Sequence, residues 1–305
     1  MPSESNQILL FNWKEKSLLQ KEIVFQSNSI HGIRIDVSQN KVLFFGGKSI
    51  RIYTINLHSD KWLITITEEF NLEDWIHDVQ WIAQKPNVEN SFAAISAHNC
   101  FTIWNLKDEK TDVFQSSENC ILYSGSIICK VSNALVVAVG TVFKEIILWS
   151  PNSLSESNGR KLPLQNLTGH QGVIFSITYN TSLKLLSSTS DDRSVRLWKV
   201  CSDSVLNDES LEFWQKANIE NIHVLFAHES RVWMSAILEN CILSIGENGS
   251  IWCLETCKTS KIEDDKKEEM IKYIADTSSR SDFPRIISLL TDQMSGQLMV
   301  TTDMG

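Results

Sequence analysis

The chain has little of what marks a membrane protein, a disulfide scaffold or a basic nucleic-acid coat. Its longest apolar run, residues 134–139, falls far short of the ~20 residues that span a bilayer, so no membrane contact is expected. Five Pro and twelve Gly in 305 residues exclude collagen-like and Pro/Gly-rich low-complexity chains. Seven Cys, an odd number, lie scattered without a C-x-x-C pair. That argues against a disulfide framework and against zinc-site spacing. Residues 1–16 are polar and of mixed charge and show no secretory signal pattern. Free thiols and a cytoplasmic location are therefore expected. Basic charge is also scarce: 28 Lys and Arg stand against 37 Asp and Glu, a net charge of −9. This excludes a surface coated for non-specific nucleic-acid binding, but not a local basic patch.

Catalytic motifs are missing too. Gly46-Gly47-Lys48-Ser49 resembles the end of a phosphate-binding loop, but Val42 stands where the first Gly should be. The strand-like Ile50-Arg51-Ile52-Tyr53 follows, where that motif needs a helix. His228-Glu229 lacks the second His of a zinc-protease helix. Neither a dinucleotide-binding glycine fingerprint nor a nucleophile elbow occurs. The expectation is no catalytic residue, no metal site, no bound cofactor and no enzyme.

What the chain does have is Trp, ten in all, and many short strand-like runs between polar turns, the pattern of an all-β fold. The most informative stretch is residues 169–200. It opens with Gly169-His170, continues through two apolar runs, and ends with Asp192 six residues before Trp198. This is the signature of one WD-repeat propeller blade. One blade cannot bury its own faces, so most of the chain must be blades. Three runs per unit are legible: 30–37, 41–45 and 49–55; 75–82, 91–97 and 100–106; 121–130, 134–140 and 145–149; 173–179, 184–189 and 194–200; 231–238, 241–245 and 250–254. The third run of each ends on one slot, filled by Tyr53, Trp104, Trp149, Trp198 and Leu254.

A sixth unit starts with runs 286–290 and 297–302, after which the sequence stops. The fold expected is thus an all-β WD-repeat β-propeller, about five full blades plus a truncated sixth of an incomplete seven-bladed ring. Residues 1–305 would form one domain, with loop insertions at 150–166, 201–212 and 255–276.

In the fourth unit His170, Ser188, Asp192 and Trp198 are placed to form a buried polar chain, with imidazole bridging carboxylate and hydroxyl and the indole N–H donating to the hydroxyl. Ser, His and Asp together invite a hydrolase reading, but their place in a blade is structural. The Asp slot holds Gly47, His98, Phe143 and Asn248 in the other units, so the same network is not expected there. Five residues before each slot residue stand Lys48, Asn99, Lys144, Arg193 and Gly249. Three of these five are basic and fall on equivalent turns, which suggests a basic arc suited to phosphate contacts. Lys48, Lys144 and Arg193, with Arg231 at the start of the fifth unit's first run, are the candidate contacts to tRNA or a protein partner.

Several segments carry a more specific likeness. They are Ser29-Ile30-His31-Gly32-Ile33-Arg34, Asp74-Trp75-Ile76 with Asp78 and Trp81, Gly172-Val173-Ile174-Phe175-Ser176, residues 192–200, and His228 with Ser230-Arg231-Val232-Trp233. In order and over nearly the whole chain, these resemble the WD-repeat protein six family, the regulatory partner of the methyltransferase that 2′-O-methylates the tRNA wobble nucleotide. The resemblance implies a non-catalytic scaffold that positions tRNA for the partner. S-adenosylmethionine would sit on the partner only, and tRNA would be recognised by shape and backbone. It also implies a longer chain with more than one propeller. The alternative is a general protein-interaction platform in signalling or trafficking, since fold does not fix function.

Overall fold

The computed structural model describes residues 6–12, 17–36, 40–58, 61–82, 91–107, 109–201, 210–226, 228–238, 241–246, 249–253, 259–261, 286–292 and 297–302. Within these the chain is almost wholly β and divides into two compact units, residues 1–81 with 282–305, and residues 82–281.

The first unit starts with a hairpin of β1 (Gln7–Asn12) and β2 (Ser17–Ile23), which precedes the runs legible as blades. A four-stranded antiparallel sheet follows in sequence order: β3 (Gly32–Asp36), β4 (Lys41–Gly46), β5 (Ser49–His58) and β6 (Lys61–Asn71). β7 (Ile76–Trp81) comes next. Val42, Phe44, Tyr53 and Ile64 share a core with Val24 and Phe25. Arg34 on β3 pairs with Asp78 on β7 at 2.5 Å, and the Trp81 indole N–H donates to the Arg34 carbonyl at 3.3 Å. Gly46-Gly47-Lys48-Ser49 is the hairpin turn between β4 and β5, with Gly46 paired to Ser49.

The second unit opens with β8 (Ser91–Ser96), β9 (Cys100–Asn105) and β10 (Lys110–Gln115). Three four-stranded antiparallel sheets follow, each a meander in sequence order. The first is β11 (Leu122–Cys129), β12 (Val136–Thr141), β13 (Ile146–Trp149) and β14 (Pro163–Leu167). The second is β15 (Ile174–Asn180), β16 (Leu185–Ser190), β17 (Ser194–Cys201) and, after helix α1 (Leu211–Lys216), β18 (Asn218–Phe226). The third is β19 (Met234–Ile237), β20 (Cys241–Ile245), β21 (Gly249–Cys253) and β22 (Thr259–Lys261). In the 282–305 part of the first unit, β23 (Ile286–Asp292) pairs with β24 (Gln297–Thr302). The four-stranded meanders have the form of WD-repeat blades.

Alternation along a strand explains how the blades of the second unit stack. On β12, Val137 and Val139 pack with Ala93, Ile95 and Phe101 of the preceding sheet. Val136 and Ala138 pack with Ile174, Leu186 and Trp198 of the next. Both faces are buried, so β12 and β13 read as unbroken apolar runs rather than alternating ones. The next interface repeats the rule with Val195, Leu197 and Leu225 against Val232 and Ile242.

Three strands per blade are legible in the sequence, and each complete blade among the described residues has four. The missed strand is the outer one. β10 and β18 are largely exposed along their length, so neither has the apolar pattern that marks a strand. Two expected insertions are also partly regular. β14 takes the end of residues 150–166, and α1 begins within the end of 201–212. α1 is capped by Ser210, whose side chain accepts from the Phe213 N–H, and it buries Phe213 and Trp214 in the core between the two flanking blades. A six-residue helix has too few turns to show a period. Of residues 255–276, β22 is described; the rest, with slot residues Asn248 and Leu254, lies outside the described residues.

Candidate partner-binding rim

The fourth-unit polar chain sits inside blade β15–β18. His170 Nδ1 is 2.9 Å from Asp192 Oδ2 and its Nε2 is 2.7 Å from Ser188 Oγ. The Trp198 indole N–H donates to Ser188 Oγ at 2.9 Å. Because Ser188 Oγ accepts from Trp198, its own proton is free to go to His170 Nε2. Nδ1 then carries the imidazole proton and donates it to Asp192. Asp192 also accepts from the backbone N–H of Gln171 at 2.8 Å and of Ser194 at 2.9 Å, and from the Ser194 hydroxyl at 2.5 Å. Burial would raise its pKa, but these donors, His170 first, hold it far below the usual carboxylate range. Burial pushes His170 below its ordinary value despite Asp192, which keeps the ring neutral. Ser188 is 0 % exposed, so its hydroxyl meets no substrate. The geometry resembles a hydrolytic triad but pins a turn.

That turn connects β16 to β17, and its equivalents carry the candidate contacts. Asn99 (φ 59°), Lys144 (φ 71°) and Arg193 (φ 68°) share the left-handed conformation. Each donates its backbone N–H to the carbonyl three residues back, on Ser96, Thr141 and Ser190. The five-residue count therefore identifies one real conformational position in three successive blades. It does not do so for Lys48: there Gly47 is the left-handed residue, at φ 57°, because the β4–β5 turn is two residues long. Lys48 Nζ is also engaged, donating to the Glu73 carbonyl at 2.5 Å. Gly249 is the first residue of β21.

Arg231 is held within the protein. Its Nε is 3.1 Å from Asp191 Oδ1, and its guanidinium lies over Trp233 at 5.4 Å. Lys144 and Arg193 are exposed and have no ion-pair partner among the described residues. Other features of the rim escaped the sequence reading. Phe143, noted only as a lost Asp, is 69 % exposed at the tip of the turn beside Val142. Tyr123 is the extra residue of a bulge between Leu122 and Ser124, and Phe175 the extra residue between Ile174 and Ser176. Phe175 meets Trp233 at 4.7 Å. His228 and Ser244 repeat the His–Ser contact at 2.7 Å in the next blade. A signal for the last was present, since His228 stands where His170 does relative to its blade; the bulges leave no mark in sequence.

Adjacent blades bring these ends together. The Val232 N–H donates to the Ser190 carbonyl at 3.1 Å, and Ser124 Oγ donates to the Ile174 carbonyl at 2.8 Å. Gly140 ends beside the next blade's first strand: a Cβ there would lie 2.8 Å from Ile174 Cβ. Only the absence of a side chain lets the two strands approach this closely.

The comparisons agree with this architecture. The family described as WD domain, G-beta repeat matches residues 161–199, which cover the His170 blade through Lys199. The tRNA (34-2′-O)-methyltransferase regulator WDR6 of Homo sapiens is 29% identical over 228 residues, 72% of this chain and 19% of its own length. The mouse protein of the same name is 30% identical over 232 residues, with the same coverage, and that of Drosophila melanogaster is 23% identical over 215 residues, 66% of this chain and 21% of its own. This chain is a relative of the WDR6 regulators. It spans about a fifth of their length. These relatives are named as regulators of a methyltransferase.

Proposed function

We propose that the chain is part of a non-catalytic scaffold that holds tRNA so that a partner 2′-O-methyltransferase can reach the wobble ribose. The observation that carries this is the pair Lys144 and Arg193. Both are exposed and occupy the same left-handed turn position on consecutive blades, an arrangement that presents two cations on one rim of an otherwise acidic protein. Phosphate contacts of this kind fix register and orientation, and orientation is what a positioning subunit contributes to a transfer reaction. Lys48 and Arg231 are secondary contacts, since both already have partners within the protein. S-adenosylmethionine would be held by the methyltransferase, and the scaffold would work in the cytoplasm without a membrane; among the described residues no helix is long and apolar enough to cross one. The test is a pull-down of the full-length protein, followed by mapping of tRNA ribose methylation in cells that lack it. Recovery of a methyltransferase and loss of the wobble methyl group are expected. Wobble methylation that persists at the wild-type level rejects the reading.

A further inference from the structure

We infer that the rim of the second unit, at blades β11–β14 and β15–β18, binds unpaired ribonucleotides, with Tyr123 and Phe143 stacking on bases while Lys144 and Arg193 hold the adjoining phosphates. This deepens the tRNA-positioning reading and rests on it for the source of the RNA, though not for the chemistry.

The inference starts from what the two blades share. Each inner strand begins with a bulge on an aromatic residue, Tyr123 on β11 and Phe175 on β15. A bulge leaves its extra residue outside the ladder and re-aims its side chain. In each blade the bulge lies opposite the turn that carries the left-handed basic residue: Leu122 pairs with Thr141, and Ile174 with Ser190, the residues whose carbonyls receive the Lys144 and Arg193 N–H groups. An aromatic and a cation therefore recur at the same end of consecutive blades. The blades touch at that end through Ser124 and Ile174.

Tyr123, in the β11 bulge, is 49 % and Phe143, at the turn tip, 69 % exposed, and an aromatic ring left in water contributes little to a core. The left-handed φ of Lys144 and Arg193 would suit Gly or Asn better; the blade before uses Asn99 there. The mix of groups decides the occupant. An acidic peptide could meet the cations, but two exposed rings on one blade, Tyr123 and Phe143, beside cations on that blade and the next, match a chain whose flat bases alternate with phosphates. A duplex keeps its bases stacked inside and offers no faces to these rings. The RNA taken here must be unpaired.

The test is fluorescence anisotropy of the full-length protein with a labelled, unstructured ribo-oligomer of about seven nucleotides, within the usual range for one binding platform, and with a blunt RNA duplex. The oligomer should bind more tightly than the duplex. Phe143→Ala, alone and combined with Tyr123→Ala, should weaken oligomer binding about ten-fold or more without changing its salt dependence, and Phe143→Trp should restore it. Lys144→Gln with Arg193→Gln should instead flatten the salt dependence by about 0.7 for each phosphate left without its cation. Wild-type oligomer binding by Phe143→Ala, equal affinity for duplex and oligomer, or displacement of the oligomer by an acidic aromatic peptide would each overturn the inference. The outcomes separate it from the broader reading. Aromatic variants that bind normally in cells whose wobble methylation needs the protein defeat only this inference. Persistent wobble methylation without the protein, together with weakened oligomer binding by the variants, defeats only the tRNA reading.

Discussion

Blades β11–β14 and β15–β18 have the same strand order and the same left-handed turn, yet different groups hold them. In the latter, Trp198 points into a polar chain within its own blade, through Ser188 and His170 to Asp192. In the former, the slot residue Trp149 turns to the neighbouring blade and donates to Asn99 Oδ1 at 2.9 Å. Asn99 is itself a left-handed turn residue and is wholly buried. One blade is tied internally and the other is tied to its neighbour. The difference frees a residue. The turn position that Asp192 fills as a structural pin is filled by Phe143 in the other blade, where it is exposed. Where the polar network is absent, the turn presents an exposed aromatic ring instead of that pin, while apolar stacking on both faces of β12 and β13 keeps that blade folded.

The largest effect should come from breaking the pinned blade. Asp192→Ala leaves the Ser194 N–H and hydroxyl and His170 Nδ1, all buried, without their acceptor. At about 1–3 kcal/mol for each buried group left unsatisfied, a loss of roughly 3 kcal/mol or more is expected in chemical denaturation. Phe143→Asp at the matching turn should stay within about 0.5 kcal/mol, as exposed substitutions do. Equal losses at the two sites would erase the contrast.

Next in size is the tie between blades. Trp149→Phe removes the indole donor and leaves buried Asn99 Oδ1 unmatched, at a cost of about 1–3 kcal/mol. A double-mutant cycle with Asn99→Ala should show coupling, and additive effects would mean that the hydrogen bond does not tie the blades.

The pinned blade should also be the acid-sensitive one. The folded state holds His170 below its ordinary value of 6.5, so the unfolded chain binds the extra proton first and stability falls as pH drops below about 6.5. Asp192, also lowered from 3.8, adds a second loss at more acid pH, because its contribution is present above the unfolded value and disappears as the folded carboxylate protonates. Thermal unfolding from pH 8 to pH 5 should show the first decline in the wild type and a smaller one in His170→Gln. Identical declines would assign the sensitivity elsewhere.

The smallest effect sharpens the contrast from the other side. Lys144→Gly should raise stability slightly, by up to about 1 kcal/mol, because Gly adopts the left-handed conformation without strain. It should weaken RNA binding at the same time. A gain in stability with unchanged binding would make Lys144 an ordinary surface residue.

The legible part of the fold was the part buried on both faces. Strands β12 and β13 stand out as apolar runs because each packs against two neighbouring blades, while β16 and β17 are legible through their place in the one complete repeat motif. Outer strands such as β10, with Lys110, Asp112 and an exposed Val113, carry no such pattern. The His170 network was legible because its residues belong to one repeat at fixed spacing. The Trp149–Asn99 bond was not, since it joins two repeats and uses a residue type with no motif. The aromatic rim was hidden for a third reason: a bulge at Tyr123 or Phe175 is a property of strand register, and register is set by pairing rather than by the residues of one strand.

The central claim is that this rim orients RNA for a partner's chemistry. It is tested most directly by reconstituting wobble 2′-O-methylation with the methyltransferase and the full-length protein, wild type or carrying Lys144→Glu with Arg193→Glu, at limiting tRNA. The account predicts that the variant still co-purifies with the methyltransferase while the methylation rate falls about ten-fold or more, as expected when two phosphates go unneutralised, and that the deficit narrows as tRNA is raised. A variant complex that methylates limiting tRNA at the wild-type rate would contradict it.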